Sequence, residues 1–296
     1  MPPVVEPPVE SPRRLDEAYA LLADIDEPWR PIAGGTDLMV AINGETGTPP
    51  ARVLDLWALD ELRGISVADG FLVLGALTTY TEIRRSTAVA TELPALAACA
   101  ATIGAAQIQN RGTIGGNAAN ASPAGDTLPI LLATGARLVL GSAAGEREVA
   151  ADGFWPSYRT TALRPDEILL RIRIPLPPQR QVRFRKIGTR RAQAISKVVL
   201  ALAWQPSSAL AGSTGDEAAW SDVRLALGSI AATTVRAPRT EATLDGAVPT
   251  RMTADAAADT LQSEIEPIDD VRSSADYRRA VAGRVLHRLV REEGRW

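Results

Sequence analysis

Two short segments carry the residue types from which a chemical site could be built. Residues 31–40 read PIAGGTDLMV and residues 111–117 read RGTIGGN, and each sets a glycine pair beside a threonine and a short polar side chain. Consecutive glycines can reach φ > 0 and let a ligand approach the backbone, so that successive N–H groups converge on one anion. Thr36 and Thr113 can donate hydroxyls to a phosphate oxygen, and a helix starting just after the first segment would add its positive end. Asp37 has the wrong charge to face a phosphate, so its carboxylate is expected to turn away and cap the helix or brace the loop. Neither segment is a Walker motif, which needs a lysine after the glycines, and the first lacks G-x-G-x-x-G spacing. Either segment alone reads as a turn; together they point to two loops gripping one diphosphate from both sides.

The remaining chemistry is defined by what the composition lacks. One cysteine, Cys99, and one histidine, His287, exclude an internal disulfide, an iron–sulfur cluster, a typical zinc site and a Ser-His-Asp triad within this sequence. No catalytic side chain and no metal ligand is therefore assigned, and redox chemistry would need an organic cofactor or a partner subunit. The formal net charge of -3 gives no bulk attraction to nucleic acid or anionic lipid. The N-terminal MPPVVEPPVESPRR has neither the basic start nor the apolar core of a secretory signal and reads as an extended arm. The most apolar stretch, residues 198–204, is far shorter than the ~20 residues of a membrane helix. A cytoplasmic protein is expected.

The segments must be held by neighbouring elements. At 296 residues the chain is long for one core, so two or three domains are expected. Ser11 before Pro12 suggests a helix cap, with Leu15, Ala18, Tyr19 and Leu22 on one stripe. A second helix begins at Asp37 or Leu38 and a buried strand covers 52–56, closing an opening unit near residue 57. Strands at 65–67 and 71–74 flank Asp69-Gly70, a strong hairpin signal. Helices are expected at 81–85 and 93–103, with Cys99 as inert core, followed by the second glycine loop and strands at 136–140, 147–149 and 168–174. The proline-rich 175–179 is a stiff connector. Beyond it come strands at 182–187, 197–204 and 222–227, a polar hairpin loop at 207–217, and helices after Thr240. The last helix should place Tyr277, Val281, Val285 and Leu289 on one face, with His287 a surface or packing residue.

Four motifs in order carry a family resemblance: Ala33-Gly34-Gly35-Thr36-Asp37-Leu38; Thr113-Ile114-Gly115-Gly116-Asn117 continuing as NAANASPAGDTLP; RPDEILLRIRIP at 164–175; and RKIGTRRAQAISKV at 185–198. Over nearly its whole length the chain resembles the FAD-binding medium subunit of the molybdenum hydroxylases, the family of xanthine dehydrogenase and aerobic carbon monoxide dehydrogenase. The resemblance implies an α+β fold: a two-subdomain FAD-binding domain of the vanillyl-alcohol oxidase (PCMH) type and a C-terminal α+β domain, for which the pattern gives a three-stranded antiparallel sheet and helices. The expected boundaries are 1–57, 58–176 and 180–296. It further implies that Ile32, Ala33, Gly34, Gly35, Thr36 and Asp37, with Thr113, Ile114, Gly115, Gly116 and Asn117, hold the FAD diphosphate and its surroundings. Ile103 and Asp126 would lie near the adenosine, Leu169 and Lys186 would come from the later segments, and Ile195 would cover the flavin ring.

The function implied is electron transfer from the [2Fe-2S] clusters of a small subunit, whose large partner carries the molybdopterin cofactor, through FAD to a soluble acceptor such as NAD, quinone or oxygen. A dimer of heterotrimers is implied as well. A free-standing FAD-dependent oxidase or dehydrogenase, and a non-catalytic nucleotide-binding module, are the other readings of the same loops. Gln193 and Ala194 stand where related xanthine dehydrogenases carry acidic residues, which leaves flavin electrostatics and acceptor choice open. Arg190 and Arg191 read equally as a solvated pair or as contacts to an acidic acceptor.

Overall fold

The computed structural model describes residues 6–24, 26–43, 49–190, 193–207 and 218–296. The opening unit is a parallel three-stranded sheet in the order β1-β3-β2. It comprises β1 (Val9–Glu10), α1 (Leu15–Leu22), β2 (Arg30–Ile32), α2 (Leu38–Ile42) and β3 (Val53–Asp55). Parallel neighbours need crossover connections, and the segments bearing α1 and α2 supply them. Ala18 and Leu22 bury the expected stripe of α1 against Leu54, Leu56 and Leu59. The start of α1 differs from expectation: Arg14, not Ser11, is the N-cap residue, and the Ser11 hydroxyl reaches Asp55 Oδ2 at 3.5 Å. The pairing of Glu10 with Leu54 keeps the chain extended up to Ser11, where a cap would have to turn it.

The second sheet is wholly antiparallel, in the order β4-β5-β8-β6-β7. Its strands are β4 (Ile65–Ala68), β5 (Phe71–Gly75), β6 (Arg137–Ser142), β7 (Gly145–Ala150) and β8 (Ile168–Pro175). Asp69 at φ 51° and Gly70 at φ 76° make the tight β4–β5 turn, the left-handed pair that a two-residue hairpin of matching twist requires. Between β5 and β6 lie α3 (Tyr80–Arg85), α4 (Thr87–Glu92), α5 (Pro94–Ala100), α6 (Ala106–Arg111), α7 (Ile114–Asn120) and α8 (Leu128–Ala133); α9 (Ala151–Phe154) follows β7. Cys99 is fully buried in α5, and desolvation raises its thiol well above the ordinary range, as inert core requires.

The C-terminal sheet has four strands in the order β12-β11-β10-β9, one more than the sequence pattern suggests. They are β9 (Gln181–Gly188), β10 (Ser196–Ser207), β11 (Ala219–Gly228) and β12 (Val235–Arg236). The extra strand is two residues long, too short to show alternation. β10 explains the apolar run at 198–204, because both its faces are covered. Val199, Ala201 and Ala203 face the core shared with α5 and α8, whereas Val198, Leu200, Leu202 and Trp204 join the core under α10 (Pro238–Leu244), α11 (Arg251–Glu264) and α12 (Ala275–Gly294). The buried face of α12 is rotated from the expected one: Arg278, Ala282, Leu286, Leu289 and Val290 are buried, and Tyr277 is exposed. His287 contacts Asp255 at 3.0 Å and packs edge-on against Trp296, a structural placement. Most of the expected 207–217 loop lies outside the described residues, as does Arg191.

Candidate cofactor site

The two glycine segments meet, but they are not alike. After β2 the chain turns through residues 33–37, where Gly35 takes φ 75°. Among the described residues, the N–H groups of Gly34, Gly35, Thr36 and Asp37 reach no protein acceptor; the segment instead gives carbonyls, Gly35 O to Met39 N at 2.9 Å and Asp37 O to Val40 N at 3.2 Å. The first loop therefore bares successive donors, as an anion cradle must. Asp37 is exposed at the start of α2.

The second segment is not a loop, contrary to the sequence expectation. Thr113 caps α7, and all four following amides are already committed. Ile114 N donates to Thr78 O at 3.0 Å, Gly115 N to Ala76 O at 2.9 Å, Gly116 N to Thr113 Oγ1 at 3.0 Å, and Asn117 N to Thr113 O at 3.0 Å. The glycine pair serves close packing rather than φ > 0: a Cβ on Gly115 would lie 2.6 Å from the Ala76 carbonyl oxygen, and one on Gly116 would lie 2.9 Å from Thr113 Oγ1 and 3.8 Å from Ala33 Cβ. The bare first turn of α7 thus looks onto the first loop.

Arg111 fixes the separation of the two segments. A side chain on Gly34 would overlap the Arg111 carbonyl oxygen, so only glycine permits this approach. Arg111 is held in turn by its guanidinium, 3.8 Å over the ring of Trp57, which also carries Arg63 at 4.6 Å. Asp55 Oδ1 accepts the Trp57 N–H at 2.9 Å, tying this stack to the end of β3. Neither the Trp57 stack nor the Gly34 approach has a sequence signal, since both join segments far apart in the chain.

A polar chain runs on from Asn117. Its Oδ1 accepts the Thr127 hydroxyl at 2.6 Å, and the neighbouring Asp126 pairs with Lys186 at 2.5 Å, with both side chains only 8% exposed. Lys186 Nζ also donates to Thr102 O at 3.3 Å, next to Ile103, whose carbonyl takes Gln109 Nε2 at 3.0 Å. Ile103, Asn117, Asp126 and Lys186 thereby form one neighbourhood, with Gln109 as a brace that the sequence did not single out. Burial raises the Asp126 carboxyl above its ordinary range despite the attraction of Lys186, and Asp126 Oδ1 is buried without a hydrogen-bond partner. Buried acceptors are normally satisfied. Tyr80 is buried beneath Gly112, and that burial raises its hydroxyl well above the ordinary range.

Two expected site residues stand apart. Leu169 is buried in the central core on β8, opposite Leu140; its neighbour Leu170 accepts Ala76 N–H at 2.9 Å, one step from the Gly115 contact. Ile195 is 64% exposed at the β9–β10 tip. There Arg190 turns its guanidinium onto Gln193 O, at 3.1 Å from Nε, and Gln193 takes φ 53°.

The arrangement fits a dinucleotide. Free amides at 34–37 suit a diphosphate, glycines on both sides permit its approach, and the orphan Asp126 oxygen suits a hydroxyl or amino donor of an adenosine. Known proteins agree with that chemistry. Residues 5–177 match the family described as the FAD binding domain in molybdopterin dehydrogenase, and residues 183–293 match the CO dehydrogenase flavoprotein C-terminal domain. The chain is 32% identical to the carbon monoxide dehydrogenase medium chain of Hydrogenophaga pseudoflava over 281 residues, 95% of this chain and 94% of that one. It is 30% identical to the xanthine dehydrogenase FAD-binding subunit of Escherichia coli O157:H7 over 281 residues, 94% of this chain and 92% of the relative. A solved carbon monoxide dehydrogenase of H. pseudoflava, in a form lacking the Mo-pyranopterin moiety, superposes with a TM-score of 0.87 at 31% identity over 96% of both chains.

Proposed function

Since the chain belongs to the FAD-binding medium subunits of the molybdenum hydroxylase family, a family of oxidoreductase subunits, we propose that it is the electron-transfer subunit of such an enzyme. In this reading a small partner supplies [2Fe-2S] clusters and a large partner the molybdopterin cofactor, in a cytoplasmic dimer of heterotrimers. Electrons leave to a soluble acceptor such as NAD, quinone or oxygen. Bound FAD would supply a carrier able to take electrons one at a time from the clusters and to pass them on singly or in pairs. The observation that carries the reading is the row of uncommitted amides at 34–37 set against the bare first turn of α7.

The chain's own residues bind and position. Gly34, Gly35, Thr36 and Asp37 would present amides to the diphosphate, with Ile32 and Ala33 forming the approach. Thr113 and Ile114 anchor α7 on Thr78, and Gly115, Gly116 and Asn117 would line the opposite wall. Asp126, with Ile103 beside it, would receive the adenosine. Lys186, neutralised by Asp126, would orient that carboxylate. Leu169 would support the wall from the core, and Ile195 would cover the flavin face. No side chain of this chain is given a catalytic role. The reading keeps a division at 1–57, 58–176 and 180–296, supported by the separate core under α10, α11 and α12, while the other two cores pack across the boundaries.

The test is a native purification of the tagged chain from its host with a visible spectrum of what accompanies it. Flavin bands with broader iron–sulfur absorption support the proposal. A pure flavin spectrum from a single stable chain would favour the free-standing flavoenzyme, and a colourless protein would remove FAD from the account.

A further inference from the structure

A crevice of about 490 Å3 opens where the connector crosses from the FAD-binding part to the C-terminal domain, and it shares no lining residue with the glycine cradle. Arg137, Arg180, Arg224 and Asp152 line it together with Leu176 and Pro177. Three arginines thus line it with one carboxylate. The neighbouring acids do not restore the balance, because each is divided between two arginines. Glu148 serves Arg137 at 2.9 Å and Arg173 at 2.7 Å. Asp222 pairs with Arg180 and stands 3.5 Å from Arg224, and Asp152 lies 4.0 Å from Arg224 and 3.4 Å from Arg236. Arg224 thus reaches two acids, both shared, and Arg236 two, of which Glu241 at 2.5 Å serves no other arginine of the group.

Arg180 is the most confined of the lining cations. Its side chain is 9% exposed, donating to Thr134 O at 3.2 Å, and burial lowers its pKa in spite of Asp222. A buried cation that shares its counter-ion is stabilised by a further anion. Guanidinium forks match the geometry of phosphate and carboxylate oxygens. The volume is that of a small-molecule site, which spans ~300–1,000 Å3.

We propose that this crevice binds a small ligand bearing a phosphate or carboxylate group, held by Arg137 of one domain and by Arg180 and Arg224 of the next. Such a ligand bridges the connector and stabilises the packing of the two domains by linkage. The inference does not depend on the electron-transfer reading.

The test is isothermal titration of the full chain, saturated with FAD so that the cradle is filled, with sodium pyrophosphate and separately with succinate at low salt. Arg137→Gln is the informative variant, because its side chain is 52% exposed and Glu148 keeps Arg173 as partner. Arg224→Gln is the second. Arg171→Gln, paired with Glu146 away from the crevice, is the control for bulk charge. One saturable equivalent of at least one probe is expected, weakened about tenfold or more by Arg137→Gln or Arg224→Gln and unchanged by Arg171→Gln. The probe also raises Tm in the wild type and less in Arg137→Gln. Binding by pyrophosphate alone assigns a phosphoryl group, by succinate alone a carboxylate. Absence of binding by both probes, or equal binding by wild type and both crevice variants, or equal weakening by Arg171→Gln, overturns the proposal.

Discussion

Gly34 rests on the backbone carbonyl of Arg111, with no room for a β-carbon between them. This contact turns two glycine segments, far apart in the chain, into one cradle. Trp57 sets its position, since the Arg111 guanidinium stacks on that ring at 3.8 Å. Removing the ring should loosen the cradle without touching either glycine. Trp57→Ala is therefore expected to weaken FAD binding about tenfold, the scale of one lost cation–π contact plus packing. Unchanged flavin affinity by fluorescence titration would remove Trp57 from the positioning chain.

Gly116 is in helical conformation, so its replacement tests space rather than backbone strain. Gly116→Val should leave α7 folded in far-UV circular dichroism, because its amide bond to Thr113 remains possible, but lower FAD occupancy. The new methyls would project toward Thr113 and Ala33, where overpacking costs ~1–3 kcal/mol. Full flavin content in a folded variant would place the diphosphate elsewhere.

The Asp126–Lys186 pair predicts a pH signature. A carboxyl whose folded pKa is raised contributes most to stability below its ordinary 3.8, and that contribution is lost as pH rises through the folded value. Lys186→Met removes the opposing attraction, so urea midpoints of the FAD-free variant should fall further below wild type as pH rises. The loss should reach ~3–5 kcal/mol, and adding Asp126→Asn should recover much of it. A pH-independent loss would contradict this account of the pair.

Glu167, within the 164–175 motif, predicts the opposite slope. Burial works against its ionisation, but Arg147 bonds at 2.6 and 2.7 Å and the Arg164 amide at 2.8 Å outweigh that, leaving the carboxyl below its ordinary 4.5. Its contribution is present above 4.5 and lost as pH falls through the lowered value. Arg147→Gln should destabilise by ~3 kcal/mol at neutral pH and by less in acid, measured by denaturant unfolding.

Sequence patterns carried the fold further than the site. Short apolar runs located β5, β8 and β10, and Asp69-Gly70 fixed the hairpin, because those signals are local. The glycine pair at 115–116 misled: glycine reads as loop by propensity, whereas Thr113 and the packing against Ala76 hold a helix there. Arg14 as the α1 cap residue depends on the pairing of β1 with distant β3, which no short window along the chain contains, and β12, paired with the preceding β11, is too short to show a pattern. The family resemblance brought Asp126 and Lys186 into one site, but their mutual ion pair is a tertiary contact between α7–α8 and β9.

The most direct test of the cradle is FAD titration of the apo chain against Gly34→Val, with circular dichroism as the folding control. The account predicts stoichiometric binding by the wild type and at least tenfold weaker binding by a folded variant, since a β-branched side chain meets the Arg111 carbonyl where the first loop must close. A folded Gly34→Val chain that binds FAD as the wild type does would contradict it.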